Sequence, residues 1–173
     1  MSARDEIFRA LNALNIDYDL VVHERADTME QLKGVSQTLG CVIPKNLFLT
    51  PRNKSAFYLC IVRPDYAFKT ADISKQIGAS RLSFAPEDQL DGLIQTHPGA
   101  ISPMGLLFDA EYTVKLIMDE RLLEEDRLAF HPNDNTQTLS MKTSDFVDVF
   151  LKHTGHGVTK IRVEGGEGIT DED

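Results

Sequence analysis

The chain has 173 residues, 42% of them hydrophobic and 26% charged, enough sequence and the right composition for one soluble globular domain with a real core. Its net charge of −9 excludes wrapping along a long nucleic-acid duplex, because phosphate binding needs cations. No apolar run approaches the roughly 20 residues that span a bilayer, and the two cysteines, Cys41 and Cys60, are too few for a disulfide framework.

At the N-terminus, Ile7, Phe8, Leu11 and Leu14 fall on one face of a helix over 2–14. This stretch has neither the basic n-region nor the apolar h-region of a secretory signal, so a cytoplasmic protein is expected. "DYDLVVH" reads as a strand. Thr28 is placed to cap a helix over "MEQLKGVSQTL", with Gln31 in the capping-box position. "KNLFLT" and "AFYLCIVR" read as a hairpin joined by "PRNKS", and Cys60 inside the second run reads as a small buried hydrophobe. "TADISKQIG" is a short helix stopped by Gly78, "RLSFA" a short strand, and Pro86 opens the helix "PEDQLDGLI".

After a turn-rich stretch, "HPGAISPMGLLFD", the segment "YTVKLIMDE" reads as a strand. "RLAFHP" and "TQTLSM" are two more strands around "NDN", and "TSDFVDVFLKH" is a helix capped by Thr143 or Ser144. Hairpins interrupt strict βαβ alternation. The expectation is therefore a single α/β domain over 1–163, with a central mixed β-sheet flanked by helices. The acidic, glycine-rich residues 164–173 are expected to form an unstructured tail.

Between Cys41 and Arg81 seven basic residues face two acidic ones, so an acidic protein still has one segment able to meet the end of a nucleic acid. Metal chemistry finds little support. Of five histidines only His153 and His156 lie close in sequence, without cysteine or acidic partners, and they read as exposed polar residues at a helix C-terminus. No nucleophile elbow, Walker loop or dinucleotide fingerprint occurs. Ser102 is a possible nucleophile, although serine before proline commonly serves a turn.

Three local features remain. "IPKNLFL" sets Lys45 and Asn46 at the start of a buried strand, where ligand groups collect in open α/β folds. "GAISP" offers consecutive backbone N–H groups shaped for an anion or oxyanion. "FHPNDNTQT" gathers His131, Asn133, Asp134 and Asn135 in one turn. Singly, each reads as an ordinary strand end, turn or hairpin loop.

Taken in order, "VVHERADTMEQL", "KNLFL", "RLSFA", "GAISPMGLLFD" and "FHPNDNTQTLSM" resemble the YbaK/prolyl-tRNA editing-domain family, most closely its free-standing ProX-type branch of alanyl-tRNA(Pro) deacylases. The resemblance runs from about His23 to about Met141. It implies a partly barrel-like sheet; no cofactor and no metal are expected. It also implies a hydrolase that cleaves the ester between a wrongly attached amino acid and the 3′-terminal adenosine of tRNA(Pro), with prolyl-tRNA synthetase as a possible further partner. The family's essential lysine falls on Lys45, its glycine–proline loop on Gly99, Ala100, Ile101, Ser102 and Pro103, and further pocket residues on Asn46 and His131. Thr28 is expected at the substrate site, and Ile43, Leu47 and Met104 are expected to line a small apolar cavity. Removal of cysteine, serine or threonine from tRNA, or a non-catalytic tRNA- or synthetase-binding module, remain alternatives at this point.

Overall fold

A computed structural model describes residues 1–26 and 28–163. The order along the chain is α1 (Ala3–Ala13), β1 (Asp19–Val22), α2 (Lys33–Leu39), β2 (Lys45–Pro51), β3 (Phe57–Val62), α3 (Thr70–Ile77), β4 (Leu82–Phe84), α4 (Gln89–Ile94), a 3₁₀ helix (Pro103–Phe108), β5 (Val114–Asp119), a second 3₁₀ helix (Glu120–Glu124), β6 (Arg127–Phe130), β7 (Gln137–Lys142), α5 (Thr143–Asp145), a π-helical stretch (Phe146–Phe150), α6 (Leu151–Thr154) and β8 (Val158–Ile161).

The strands form two sheets. One has the order β4-β2-β3-β5-β8, antiparallel across β4, β2 and β3 and parallel across β3, β5 and β8. The other is antiparallel, β1-β7-β6. They meet where Ala129 N–H donates to Val42 O at 3.0 Å, in a parallel bridge between Val42 and Leu128. The mixed sheet and flanking helices match the sequence expectation. The barrel-like tendency stops at this contact, and the two sheets do not close into a barrel.

Period-two alternation explains why β2, β3 and β5 read as unbroken apolar runs, because both faces are covered. Phe48, Leu59, Ile61, Leu116 and Met118 face the main core, where they meet Ile7 and Leu11 of α1, Leu128, Phe130, Leu139 and Met141 of the smaller sheet, and Phe146 and Phe150. Leu47, Leu49, Cys60, Val62 and Ile117 face the other way, onto Phe68 and onto Ile73 of α3. Burial pushes the Cys60 thiol up to about 12, with Asp119 adding to the effect, so it is an inert apolar filler as expected.

Local signals were followed with five differences, the first being that α4 begins at Gln89, with Pro86 in the turn before it accepting Gln89 N–H at 3.1 Å. Thr28 and Gln31 do exchange capping-box bonds, Thr28 N–H to Gln31 Oε1 at 3.1 Å and Gln31 N–H to Thr28 Oγ1 at 3.2 Å. They close a turn, however, and α2 begins only at Lys33. The C-terminal helix starts from Lys142 rather than from a Thr143 or Ser144 cap, and its middle widens to a π-helix. Strand β8 is an addition that the sequence pattern did not suggest. His156 is buried, not exposed: its Nε2 donates to Asp109 Oδ2 at 2.9 Å. Asp109 in turn receives Thr113 N–H and Val114 N–H, which anchors the entry to β5. The expected acidic tail, 164–173, lies outside the described residues. Among the described residues, no helix is long and apolar enough to cross a membrane.

Candidate active site

The start of β2, the turn before α2, the loop after α4 and the end of β6 converge on one cavity of about 270 Å³. From β2 and the residues before it come Ile43, Pro44, Lys45 and Asn46. The turn before α2 adds Ala26, Thr28, Met29 and Leu32, the loop adds Gly99 and Ile101, and β6 and its extension add Phe130 and His131. Seven residues expected at the site are thus brought together: Thr28, Ile43, Lys45, Asn46, Gly99, Ile101 and His131.

The other five take structural positions. Leu47 points from β2 into the α3-side core, on the face it shares with Lys45 but further along the strand. Met104 is fully buried in the main core, and Ala100 and Pro103 are buried. Ser102 is buried and its Oγ accepts Met104 N–H at 3.0 Å, so its hydroxyl caps the 3₁₀ helix that Pro103 opens. The apolar wall is supplied by Ile43 and Ile101 together with Met29, Leu32 and Phe130. The Met29–Leu32 spacing, one helical turn before α2, was the sequence signal for two of them.

Lys45 is half-buried and makes no ion pair among the described residues. Its Nζ sits 5.2 Å from the centroid of the Phe68 ring, a contact that holds a cation without neutralising it. No described acidic residue lines the cavity, so Lys45 dominates the local field. Asn46 Nδ2 donates to Pro44 O at 3.3 Å, while its Oδ1 is buried without a partner.

The loop is shaped by its own bonds. Thr96 Oγ1 donates to Ala100 O at 2.8 Å and Ala100 N–H donates to His97 O at 3.1 Å. Gly99 sits between them at φ 90°, a conformation that favours glycine. Among the described residues, the N–H groups of Gly99 and Ile101 make no hydrogen bond, and both residues line the cavity. This leaves two backbone donors for an anionic oxygen.

A residue that sequence reasoning passed over as a turn former fixes this loop against His131. Asn133 Nδ2 donates to Ile94 O at 2.8 Å and to Gln95 O at 3.0 Å, closing the carbonyl end of α4 just before the loop begins. His131 itself is buried, with Nδ1 donating to Gln137 O at 2.8 Å. Burial is the main force holding its pKa below the ordinary histidine value, and the positive ends of His23 and His97 add to it. The neutral ring therefore prevails at neutral pH, with Nε2 as the nitrogen bearing the lone pair.

The cavity thus gathers a cation, two backbone N–H groups without a partner among the described residues and an imidazole held below the ordinary histidine value by burial, with neither cysteine nor Ser102 at the wall. No group of three metal-ligating side chains occurs among the described residues. Residues 23–149 match the family model of the aminoacyl-tRNA editing domain, and the chain belongs to that family.

Within it, the chain is 32% identical over 156 residues to the prolyl-tRNA editing protein ProX of Acetoanaerobium sticklandii, covering 90% of this chain and 94% of that protein. It is also 32% identical over 157 residues to mouse (Mus musculus) prolyl-tRNA synthetase associated domain-containing protein 1, covering 88% and 92%. A crystal structure described as that of a candidate trans-editing enzyme for prolyl tRNA synthetase superposes with a TM-score of 0.70 at 16% identity, over 96% of this chain and 99% of the other, and shares its fold.

Proposed function

We infer that this protein is a trans-acting deacylase that hydrolyses Ala-tRNA(Pro), with the editing domain occupying 1–163. The observation that carries the reading is the meeting of Lys45, the free N–H groups of Gly99 and Ile101, and His131 around one cavity.

An aminoacyl ester is already reactive, so orienting water and stabilising the developing oxyanion suffice. Water, hydrogen-bonded to His131 Nε2, adds to the ester carbonyl carbon. The carbonyl oxygen becomes an oxyanion that accepts from Gly99 N–H and Ile101 N–H. Collapse breaks the bond to the ribose oxygen, which takes up the proton released by the water, and free amino acid and uncharged tRNA leave. Lys45 anchors the phosphate or ribose of the terminal adenosine as a point charge, and Asn46 and Thr28 contact the same end. The apolar wall of Ile43, Ile101 and Phe130 receives the alanine methyl. No cofactor is required.

Such a second site has a physical purpose. A synthetase pocket distinguishes a substrate lacking a methylene by only about 1–3 kcal/mol, so a smaller amino acid needs a separate sieve. The net charge of −9 limits direct tRNA contact and fits delivery by prolyl-tRNA synthetase as a partner.

The test is release of labelled amino acid from tRNA(Pro) charged with alanine, cysteine, serine or proline. Loss of alanine with proline spared supports the reading. Loss of cysteine or serine instead reassigns the apolar wall, and retention of all four overturns the hydrolase in favour of a binding module.

A further inference from the structure

Hydrogen positions around His131 follow from the groups that face it. Gln137 O, 2.8 Å from His131 Nδ1, can only accept, so Nδ1 carries the hydrogen. The same argument applies to His23, half-buried just beyond β1, whose Nδ1 lies 2.7 Å from Glu24 O. Its Nε2 is then the lone-pair nitrogen. Between the two rings stands the Thr138 hydroxyl, 2.8 Å from His23 Nε2 and 3.3 Å from His131 Nδ1. Having one proton, Thr138 Oγ1 donates it to His23 Nε2 and accepts from His131 Nδ1–H. The backbone holds the chain of bonds in place: Thr138 pairs with Val21 across β1 and β7, and His23 N–H donates to Thr136 O at 2.8 Å. Thr138 is fully buried, so the hydroxyl must rely on these partners.

We propose that His23 is a positioning residue of this site, acting through the Thr138 hydroxyl to hold His131 as the neutral Nδ1–H tautomer with its Nε2 lone pair available to the cavity. The inference rests on the assignment of His131 to the reaction.

The reason is that the bonds are satisfied only while His23 Nε2 carries no proton, whereas charge on His131 breaks none of them and is opposed by burial and by His23. A proton added to His23 Nε2 turns that atom into a donor toward Thr138, whose own proton then has no acceptor, since both facing ring nitrogens bear hydrogen. A proton added to His131 Nε2 creates a cation 6.2 Å, ring centre to ring centre, from His23. The other ionisable groups around the pair are His97 from the loop, Lys45 across the cavity, Glu24 beside His23, and Asp134, which Arg4 and Thr136 hold. Of these, Asp134 favours charge on His131 and His97 opposes it.

The experiment is a histidine ¹⁵N NMR titration of the free protein over about pH 5 to 8, for the wild type, His23→Gln, Thr138→Val and Thr138→Ser. Expected are Nδ1–H tautomers for both rings in the wild type, an upward move of the His131 midpoint in His23→Gln, a downward move in Thr138→Val, which loses an acceptor of Nδ1–H, and wild-type behaviour in Thr138→Ser. A wild-type His131 protonated on Nε2, or a midpoint unmoved by His23→Gln, overturns the proposal. The catalytic arm follows alanine release from Ala-tRNA(Pro). His23→Gln should lower kcat on the acid side with KM unchanged, its profile joining the wild type at alkaline pH. Superimposed profiles overturn the positioning role even where the NMR coupling is present. A wild type that releases no amino acid overturns the deacylase reading and the role in catalysis, and the NMR alone then decides whether the two rings are coupled.

Discussion

The Asn133 carboxamide donates to the Ile94 carbonyl at 2.8 Å, across 39 positions of sequence, and so ties the turn that carries His131 to the helix that launches the Gly99–Pro103 loop. Asn133 also sits at φ 59°, where asparagine and glycine are tolerated better than other residues. Asn133→Gly keeps that backbone and loses only the two bonds, whereas Asn133→Ala adds strain. Leaving the buried Ile94 carbonyl without a donor, beside that of exposed Gln95, costs about 1–3 kcal/mol. Urea unfolding should show both variants destabilised, alanine more than glycine, and both should release amino acid more slowly. Equal stability to the wild type would mean that the clamp does not hold the loop.

Gly105 is the second point at which this clamp admits no freedom. A Cβ there would stand 2.6 Å from Ile94 O and 2.9 Å from Ile94 Cβ, both parts of a packed helix end rather than a flexible tip. Gly105→Ala should destabilise by about 1–3 kcal/mol, the usual range for forcing a group into a filled site. Thermal unfolding would detect this as a Tm several degrees lower, and a Tm at or above the wild type would refute it.

Strands β1 to β7 were legible because their apolar runs are local, and Lys45, Asn46, Gly99, Ile101 and His131 were legible as cavity residues because three short motifs carry them in order. What sequence left unread is long-range. Leu47 shares a face of β2 with Lys45, but two residues further along the strand that face is already covered by the α3-side core, which the apolar run conceals. Met104 follows the loop immediately, yet the 3₁₀ helix turns it into the core. His156 looked like a surface residue after a helix because nothing near it in sequence reveals Asp109, its partner 47 positions away. His23 and Thr138 lie 115 positions apart, and only the β1-β7 pairing brings them together.

The Lys45 side chain makes no ion pair or hydrogen bond among the described residues, so its removal should cost little stability. Lys45→Ala is expected to fold as the wild type does and to lose alanine release by at least about 100-fold, on the scale of losing one aimed electrostatic group. Phe68→Leu tests the same cation indirectly: without the ring 5.2 Å from Nζ, Lys45 is less well held and the rate should fall with the fold retained. Circular dichroism beside the release assay separates the two effects. Full activity in Lys45→Ala would remove Lys45 from the mechanism.

His131 makes a distinct prediction for stability against pH. Its folded pKa lies below the ordinary value of 6.5, chiefly because of burial. The unfolded chain therefore binds a proton first as pH falls below about 6.5, and stability declines from there until the folded ring also protonates. Above that range His131 contributes no slope. His131→Gln has no such titration, while His23, His97, His153 and His156 remain in both proteins. The stability difference between wild type and variant should thus shrink as pH falls through the histidine range and stay constant at higher pH. Urea unfolding at a series of pH values measures it directly. A difference independent of pH would mean that His131 titrates alike in the folded and unfolded chains, and that its ring is not held neutral by burial.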